Sequence, residues 1–215
     1  MKKLAIIFDV DGVLLDTVPY HFSAWKKLFK KQAVSFTFGD YLQKVNGLPR
    51  ITGVTNMFKG ISQSKADVLG DMKQQYFLDM VAKNPPKPLE GVIEFLQYLK
   101  KKNVKLAAAS SSKNAPHLLK NLGISDYFTV IISGSDFTKP KPDPQIFTLT
   151  ADKLKVPYKH VVVIEDAYHG ALAGKKAGMR VIGLMTSNDE KLYTISDFVT
   201  DSLKNYQEVI EFLKI

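Results

Sequence analysis

Short runs dominated by apolar residues recur at positions 4–8, 104–109, 130–132, 161–164 and 181–184. Such short continuous runs suit strands buried on both faces of a parallel sheet, where no alternation is required. Between them the apolar residues take helical spacing. Val92, Ile93, Leu96 and Leu99 mark one face of a helix near 90–102. Leu118, Leu119 and Leu122 mark another, which Gly123 closes just past its C-cap. Ile146, Phe147 and Leu149 belong to a third helix, residues 171–177 to a fourth and 206–215 to a last one. Strand alternating with helix predicts βαβ units with right-handed crossovers, hence an α/β fold with a doubly wound, Rossmann-like parallel sheet.

Residues 17–86 break this rhythm. A parallel strand normally follows its predecessor after a crossover of a dozen or more residues. Here a much longer stretch passes without a convincing buried strand. Phe22, Trp25, Leu28 and Phe29 share one helical face, and Met72, Tyr76 and Met80 share another. The pattern predicts a helical domain over 17–86 inserted into a core made of 1–16 and 87–215. The return linker is Asn84-Pro85-Pro86-Lys87-Pro88, stiffened by proline.

The chain has 215 residues, enough for one large domain or a domain with a smaller insert. Its apolar and charged fractions, 45% and 24%, are ordinary for a globular protein and argue against disorder. The absence of cysteine excludes a disulfide scaffold, a thiolate metal site and a cysteine nucleophile. Met1-Lys2-Lys3 followed by the apolar 4–8 run superficially resembles a leader, but Asp9 and Asp11 cut it short. No apolar run reaches the roughly 18–20 residues of a membrane span, and a cytoplasmic protein is expected. The formal charge is +9. The inserted segment carries ten Lys and Arg against four Asp, so +6 of the total lies there. This charge suits either a solvated lysine-rich helix face or a field that draws an anion into a cleft.

Four polar clusters follow four of the apolar runs. Asp9-Val10-Asp11-Gly12 follows the first, and ligands of open α/β sheets bind beyond the carboxyl ends of strands. An EF-hand reading of Asp9-x-Asp11 fails, because Gly12 falls at the fourth loop position and Tyr20 stands where the bidentate Glu belongs. Glu165-Asp166 closes the 161–164 run. Together these acids make an oxygen-rich pocket suited to Mg²⁺. Lys139, in Thr138-Lys139-Pro140-Lys141-Pro142-Asp143, offers a cation for carboxylates or a phosphoryl oxygen, and its bond to Pro140 is a candidate cis peptide. Ser110-Ser111-Ser112-Lys113-Asn114 precedes a helix, where hydroxyls and free N–H groups form an anion site.

Asp9, Asp11 and Gly12, then Ser110, then Lys139, then Glu165-Asp166 stand in an order that resembles the haloacid dehalogenase superfamily. The helical insert resembles that superfamily's C1 cap. The resemblance implies aspartyl-phosphate chemistry. Asp9 would accept the phosphoryl group and Asp11 would serve as general acid and base. Mg²⁺ would bridge Asp9, the Asp11 carbonyl and Asp166, with Glu165 also at the metal. Ser110 and Lys139 would hold the transferring group.

A finer resemblance is to the β-phosphoglucomutase family. It rests on Asp16-Thr17 with Tyr20-His21 and Trp25 at the start of the cap, Gly47-Leu48-Pro49-Arg50 within it, and Ser112-Lys113-Asn114 in the core. It implies that Thr17 and His21 place Asp11. Arg50, Ser112, Lys113 and Asn114 would hold the phosphate that is not reacting, with Gly47 and Trp25 beside the substrate. Trp25 also reads as cap core, since it shares a face with Phe22 and Leu28. Two departures stand out. The family has a lysine four places before a tyrosine, whereas Met72 precedes Tyr76 at that distance and Lys73 comes one place later; Ala167 replaces a common hydroxyl residue. The implied reaction interconverts β-glucose 1-phosphate and glucose 6-phosphate in a monomer, with a sugar bisphosphate as activator and no nucleic-acid or membrane partner. A sugar-phosphate phosphatase needs the same core residues and stands as the alternative; a non-catalytic polyanion-binding module has only the +9 charge behind it.

Overall fold

The computed structural model describes residues 4–215; Met1 to Lys3, weighed above as the start of a leader, lie outside the described residues. The strands are β1 (Ala5–Phe8), β2 (Lys105–Ala109), β3 (Val130–Ile132), β4 (Val161–Glu165), β5 (Arg180–Leu184) and β6 (Phe198–Thr200). They form one parallel sheet in the order β3-β2-β1-β4-β5-β6. The doubly wound expectation therefore holds. The strand order reverses between β1 and β4, and in open α/β sheets that reversal opens a crevice at the carboxyl ends. Phe8 pairs with Ile164 in register, so the residues just after β1 and at the end of β4 emerge side by side in that crevice.

The helices are α1 (Val18–Lys31), α2 (Phe38–Lys44), α3 (Arg50–Met57), α4 (Gln63–Lys83), α5 (Val92–Lys101), α6 (Ala115–Asn121), α7 (Gln145–Leu154), α8 (Tyr168–Lys176), α9 (Leu192–Ile195) and α10 (Gln207–Leu213). The period-two alternation of strand side chains divides the sheet into two apolar layers. Ile6, Phe8, Leu106, Val162 and Ile164 face α5, α6 and α10, whereas Ile7, Ala107, Val161 and Val163 face α7 and α8. Every strand predicted from the apolar runs is present. β6 and the four-residue α9 carry too few residues to show a period, and β6 is an edge strand with two of its three residues partly exposed.

Helices α1–α4 pack around an apolar cluster of their own that includes Trp25, Leu28, Phe29, Tyr41, Val54 and Leu69. The predicted face of α1 is the buried one. On α4 the buried line is instead Ala66, Leu69, Gly70, Lys73 and Phe77, while Met72, Tyr76 and Met80 are only partly covered. Lys73 breaks the apolar stripe, so hydropathy alone rotates the apparent face by about one residue, or 100°. Where the chain leaves and rejoins the sheet, the two crossings pair. The Asp16 N–H donates to the Lys87 carbonyl at 2.9 Å and the Leu89 N–H to the Leu14 carbonyl at 3.1 Å.

Phe8 lies at the middle of the sheet, fully buried, with its ring edge-on to Phe95 and Phe128 at 6.0 and 6.2 Å. Phe8→Ala removes that ring from a close-packed layer. It is expected to cost about 3–5 kcal/mol, measured as a lowered denaturant midpoint at unchanged m-value.

Candidate active site

Four loops at the carboxyl ends of β1, β2, β3 and β4 supply the polar groups of the core. β1 runs into Asp9, whose N–H donates to the Ile164 carbonyl at 2.9 Å, so the loop starts locked to β4. Glu165 ends β4 and is fully buried; Asp166 follows it and is 2% exposed. Asp9, Glu165 and Asp166 each present a carboxylate oxygen, all within 4.8 Å of one another. Gly12 adopts φ +80°, and a Cβ there would lie 2.3 Å from Asp166 Oδ2, so glycine is required for this approach.

The cation of this cluster is Lys141, not Lys139. Lys141 is 1% exposed, and its Nζ donates to Asp9 Oδ1 at 2.6 Å and to Glu165 Oε1. Lys139 is exposed because Gln145 at the start of α7 accepts the N–H groups of Thr138 and Lys139, at 2.9 and 2.7 Å, which holds that part of the turn on the surface. The cis peptide among the described residues is correspondingly Lys141–Pro142, not Lys139–Pro140.

The electrostatics follow from burial. Desolvation, joined by the charges of Glu165 and Asp11, lifts the Asp9 carboxyl to about 8 despite Lys141. Burial, then Glu165 and Asp9, push Asp166 up as well. Burial alone would lower the Lys141 ammonium, but Asp9 and Glu165 more than offset it and hold it above its usual range. Three carboxyl groups share one ammonium, and burial favours protons on Asp9 and Asp166 that a bound cation would displace. Asp166 Oδ2 is buried with no hydrogen-bond partner. An orphaned carboxylate oxygen in an all-oxygen donor set fits a hard divalent cation, so the cluster can hold a metal ion.

Asp11 has a different environment. Thr17 Oγ1 donates to its Oδ1 at 2.7 Å, and Ser110 Oγ donates to its Oδ2 at 3.0 Å. His21 Nε2 lies 3.1 Å from Oδ1. Thr17 caps α1 and His21 is one turn on, so both project from one face onto Asp11. Lys73 Nζ lies 2.7 Å from His21 Nδ1, and Phe77, one turn further along α4, stacks on the imidazole at 4.3 Å. The aromatic four places after Lys73 is thus Phe77; counting from Tyr76 misplaces the lysine. An ionised carboxylate has only acceptors, so Nε2 carries the hydrogen given to Asp11 and Nδ1 of the neutral ring accepts from Lys73. Burial and then Lys73 lower His21, which favours this neutral ring. Burial also lowers Lys73, to about 7, with Asp11 opposing. Burial would raise Asp11, yet it sits below the usual carboxylate range. Because His21 is neutral, the hydrogen bonds from His21, Thr17 and Ser110 account for this better than an imidazolium charge does.

The helical insert closes over these groups and leaves a cleft of ≈ 150 Å³. Its lining includes Asp9, Asp11, His21, Trp25, Gly47, Arg50, Lys73, Ser110, Ser112 and Lys113. Trp25 packs in the insert core, stacking on Phe29 at 5.4 Å, and also borders the cleft. Arg50 Nη2 donates to Asp71 Oδ1 at 2.8 Å, whereas its Nε is buried without a partner. The serine run is less free than its sequence suggests. The Ser112 N–H is taken by Ser110 Oγ and the Asn114 N–H by Ser112 Oγ. Asn114 does not line the cleft; its Oδ1 accepts from Gln74 of the insert at 2.9 Å. Ser111 Oγ donates to the Gly47 carbonyl at 3.0 Å, a further link between insert and core.

Sequence reasoning missed Lys141, Ser111, Gln74 and Asn46. Asn46 is 5% exposed and lines the cleft, and its Nδ2 has no partner. Whichever way its carboxamide is turned, one buried polar end has no protein partner.

Residues 6–184 match the model of the haloacid dehalogenase-like hydrolase family. The β-phosphoglucomutase of Bacillus subtilis (strain 168) is 34% identical over 187 residues, covering 84% of this chain and 82% of its own. A phosphorylated carbohydrates phosphatase of Thermotoga maritima is 32% identical over 219 residues, covering 98% of each. The crystal structure of a β-phosphoglucomutase from Clostridium difficile superposes with a TM-score of 0.85 at 29% identity, over 100% of this chain and 98% of that one. With its parallel sheet, its acids at the strand-order reversal and its buried lysine, the chain belongs to the haloacid dehalogenase-like hydrolase family of phosphoryl-transfer enzymes.

Proposed function

We propose that this chain is a Mg²⁺-dependent, cytoplasmic, monomeric phosphohexomutase of the β-phosphoglucomutase type, interconverting β-glucose 1-phosphate and glucose 6-phosphate. The observation that carries the reading is the His21–Asp11 contact at 3.1 Å, which joins insert to core over the cleft and is braced within the insert by Lys73. A phosphatase gains from water at its reacting centre, whereas transfer to a sugar hydroxyl gains from excluding it. Arg50, in the same cleft with its Nε unpartnered, supports a second anion site for the phosphate that is not reacting.

In this reading Asp9 carries the phosphoryl group and gives it to the free hydroxyl of a hexose monophosphate. Asp11 takes the proton of that hydroxyl as the new P–O bond forms and the acyl phosphate bond to Asp9 breaks. The sugar bisphosphate turns over in the cleft. Its other phosphate then passes to Asp9, while Asp11 returns the proton to the departing sugar oxygen. A trace of sugar bisphosphate starts the cycle by phosphorylating Asp9. Asp9, Asp166, Glu165 and the Asp11 carbonyl would hold Mg²⁺, which supplies charge neutralisation between two anions. Lys141 adds a second cation and keeps Asp9 oriented. Thr17, His21 and Ser110 hold Asp11, and Lys73 fixes the His21 tautomer. Arg50, Ser112 and Lys113, together with Asn114 once Gln74 is displaced, take the distal phosphate. Gly47 and Trp25 border the sugar.

A sugar-phosphate phosphatase is the second reading, favoured by the full-length similarity to the Thermotoga maritima phosphatase. Phosphorus NMR separates the two. With Mg²⁺, β-glucose 1-phosphate and a trace of glucose 1,6-bisphosphate, glucose 6-phosphate is expected to grow without matching inorganic phosphate. Inorganic phosphate as the main product establishes the phosphatase instead.

Two substitutions test the assigned roles. Asp11→Asn keeps the shape and removes the proton acceptor. It is expected to lower kcat by about 10²–10⁴-fold, and near-wild-type turnover would remove Asp11 from that role. Arg50→Ala is expected to harm the sugar-phosphate reaction far more than hydrolysis of an aryl phosphate with no distal anion. Equal losses in both assays would sink the distal-phosphate assignment.

A further inference from the structure

The turn that leaves β5 touches neither the cleft nor the reacting carboxylates, yet it reaches both acidic loops. Thr186 Oγ1 donates to the Gly12 carbonyl. Ser187 Oγ, fully buried, donates to the Asp166 carbonyl at 2.5 Å. Asp189, 5% exposed, accepts the N–H of Tyr168, the first residue of α8, on its Oδ2 at 2.9 Å. None of the three lines the cleft. Three polar side chains from one short turn therefore secure the backbone next to Asp11, at Asp166 and two residues beyond it.

Each contact could have gone elsewhere. A buried hydroxyl needs one acceptor, and a serine or threonine in a turn commonly finds it in its own backbone. Here both hydroxyls are committed to carbonyls of neighbouring loops. Those loops have little slack between them, since a Cβ on Gly12 would fall 2.3 Å from Asp166 Oδ2. Lys141 bridges Asp9 and Glu165 but not Asp166, so an ionised Asp166 repels the Asp9 loop when no metal ion lies between them. The polar turn resists that spreading, because it grips the Gly12 side and the Asp166 side at once.

We propose that the 185–189 turn is a clamp that presets the spacing of the carboxylates for a divalent cation, with Thr186 and Ser187 as positioning residues. This rests on the reading of the acidic cluster as a cation site. The clamp lowers the reorganisation needed when the ion binds, so its loss weakens ion affinity before it weakens the fold.

The test is calorimetric titration of the full chain with Mg²⁺, repeated with Mn²⁺ by electron paramagnetic resonance, alongside the thermal midpoint of the metal-free protein. Thr186→Val keeps the side-chain shape and removes the hydroxyl; Thr186→Ser keeps the hydroxyl. Thr186→Val and Ser187→Ala are expected to weaken Mg²⁺ binding by about 10–100-fold, and Thr186→Ser to bind close to wild type. Thr186→Val and Thr186→Ser decide the matter even if Ser187→Ala does not fold. Wild-type affinity in a folded Thr186→Val protein overturns the clamp while leaving the cation site standing. Equal weakening in Thr186→Val and Thr186→Ser also overturns it, since the hydroxyl would then be irrelevant. Absence of Mg²⁺ and Mn²⁺ binding in the wild-type protein overturns the cation site and the clamp together.

Discussion

The structure turns on the cost of burying several carboxylates in one place. Asp9, Glu165 and Asp166 sit at the carboxyl ends of the two central strands, each at most 5% exposed. Unpaired charge at that depth is expensive, and like charges raise the cost further. Lys141 meets part of the need by bridging Asp9 and Glu165. Asp166 receives no such partner, and its orphaned oxygen makes the cluster a receptor for a cation. Breaking such a pair by removing Lys141 would leave two buried anions facing each other, a worse state than never having had the pair.

A second group of contacts depends on the first from the side of the insert. Asp11 belongs to the same loop as Asp9, yet it is held through Thr17, His21 and Ser110 rather than through Lys141. Two neighbouring carboxylates are thereby given unlike surroundings. Asp9 is pushed up by burial and by Glu165, while Asp11 is kept low by hydrogen bonds. Divergent environments are what allow a pair of acids to divide nucleophile and proton-transfer duties, as the proposed mechanism requires. Lys73 and His21 both belong to the insert, so Lys73 acts on Asp11 by bracing the ring that reaches it.

Much of this was legible in the chain. The apolar runs located five of the six strands, and acids placed directly after two of them located the cluster. The first failure was local ambiguity. In Lys139-Pro140-Lys141-Pro142 both lysines stand before proline, and only the long-range contacts with Asp9, Glu165 and Gln145 decide which turns inward. The second failure was a category error built into hydropathy. Lys73 is 4% exposed on the apolar line of α4, and a scale that scores lysine as polar cannot place it there. Its stem packs along apolar surface while its ammonium finds Trp25, Phe77 and His21. Asn46 left no signal, because an asparagine in a cap loop looks the same whether or not its amide has a partner.

The paired crossings at Leu14–Asp16 and Lys87–Leu89 bring the two ends of the helical insert together on one side of the sheet. A segment whose ends already meet can change length at little entropic expense to the rest of the chain. It also has an apolar cluster of its own, while Ala24 and Phe77 join the layer on one face of the sheet. The insert is therefore an exchangeable cassette. Different helical segments grafted between the same two crossings would reshape the roof of the cleft while Asp9, Lys141, Glu165 and Asp166 kept their places, but each graft would have to resupply the Thr17 and His21 contacts that hold Asp11.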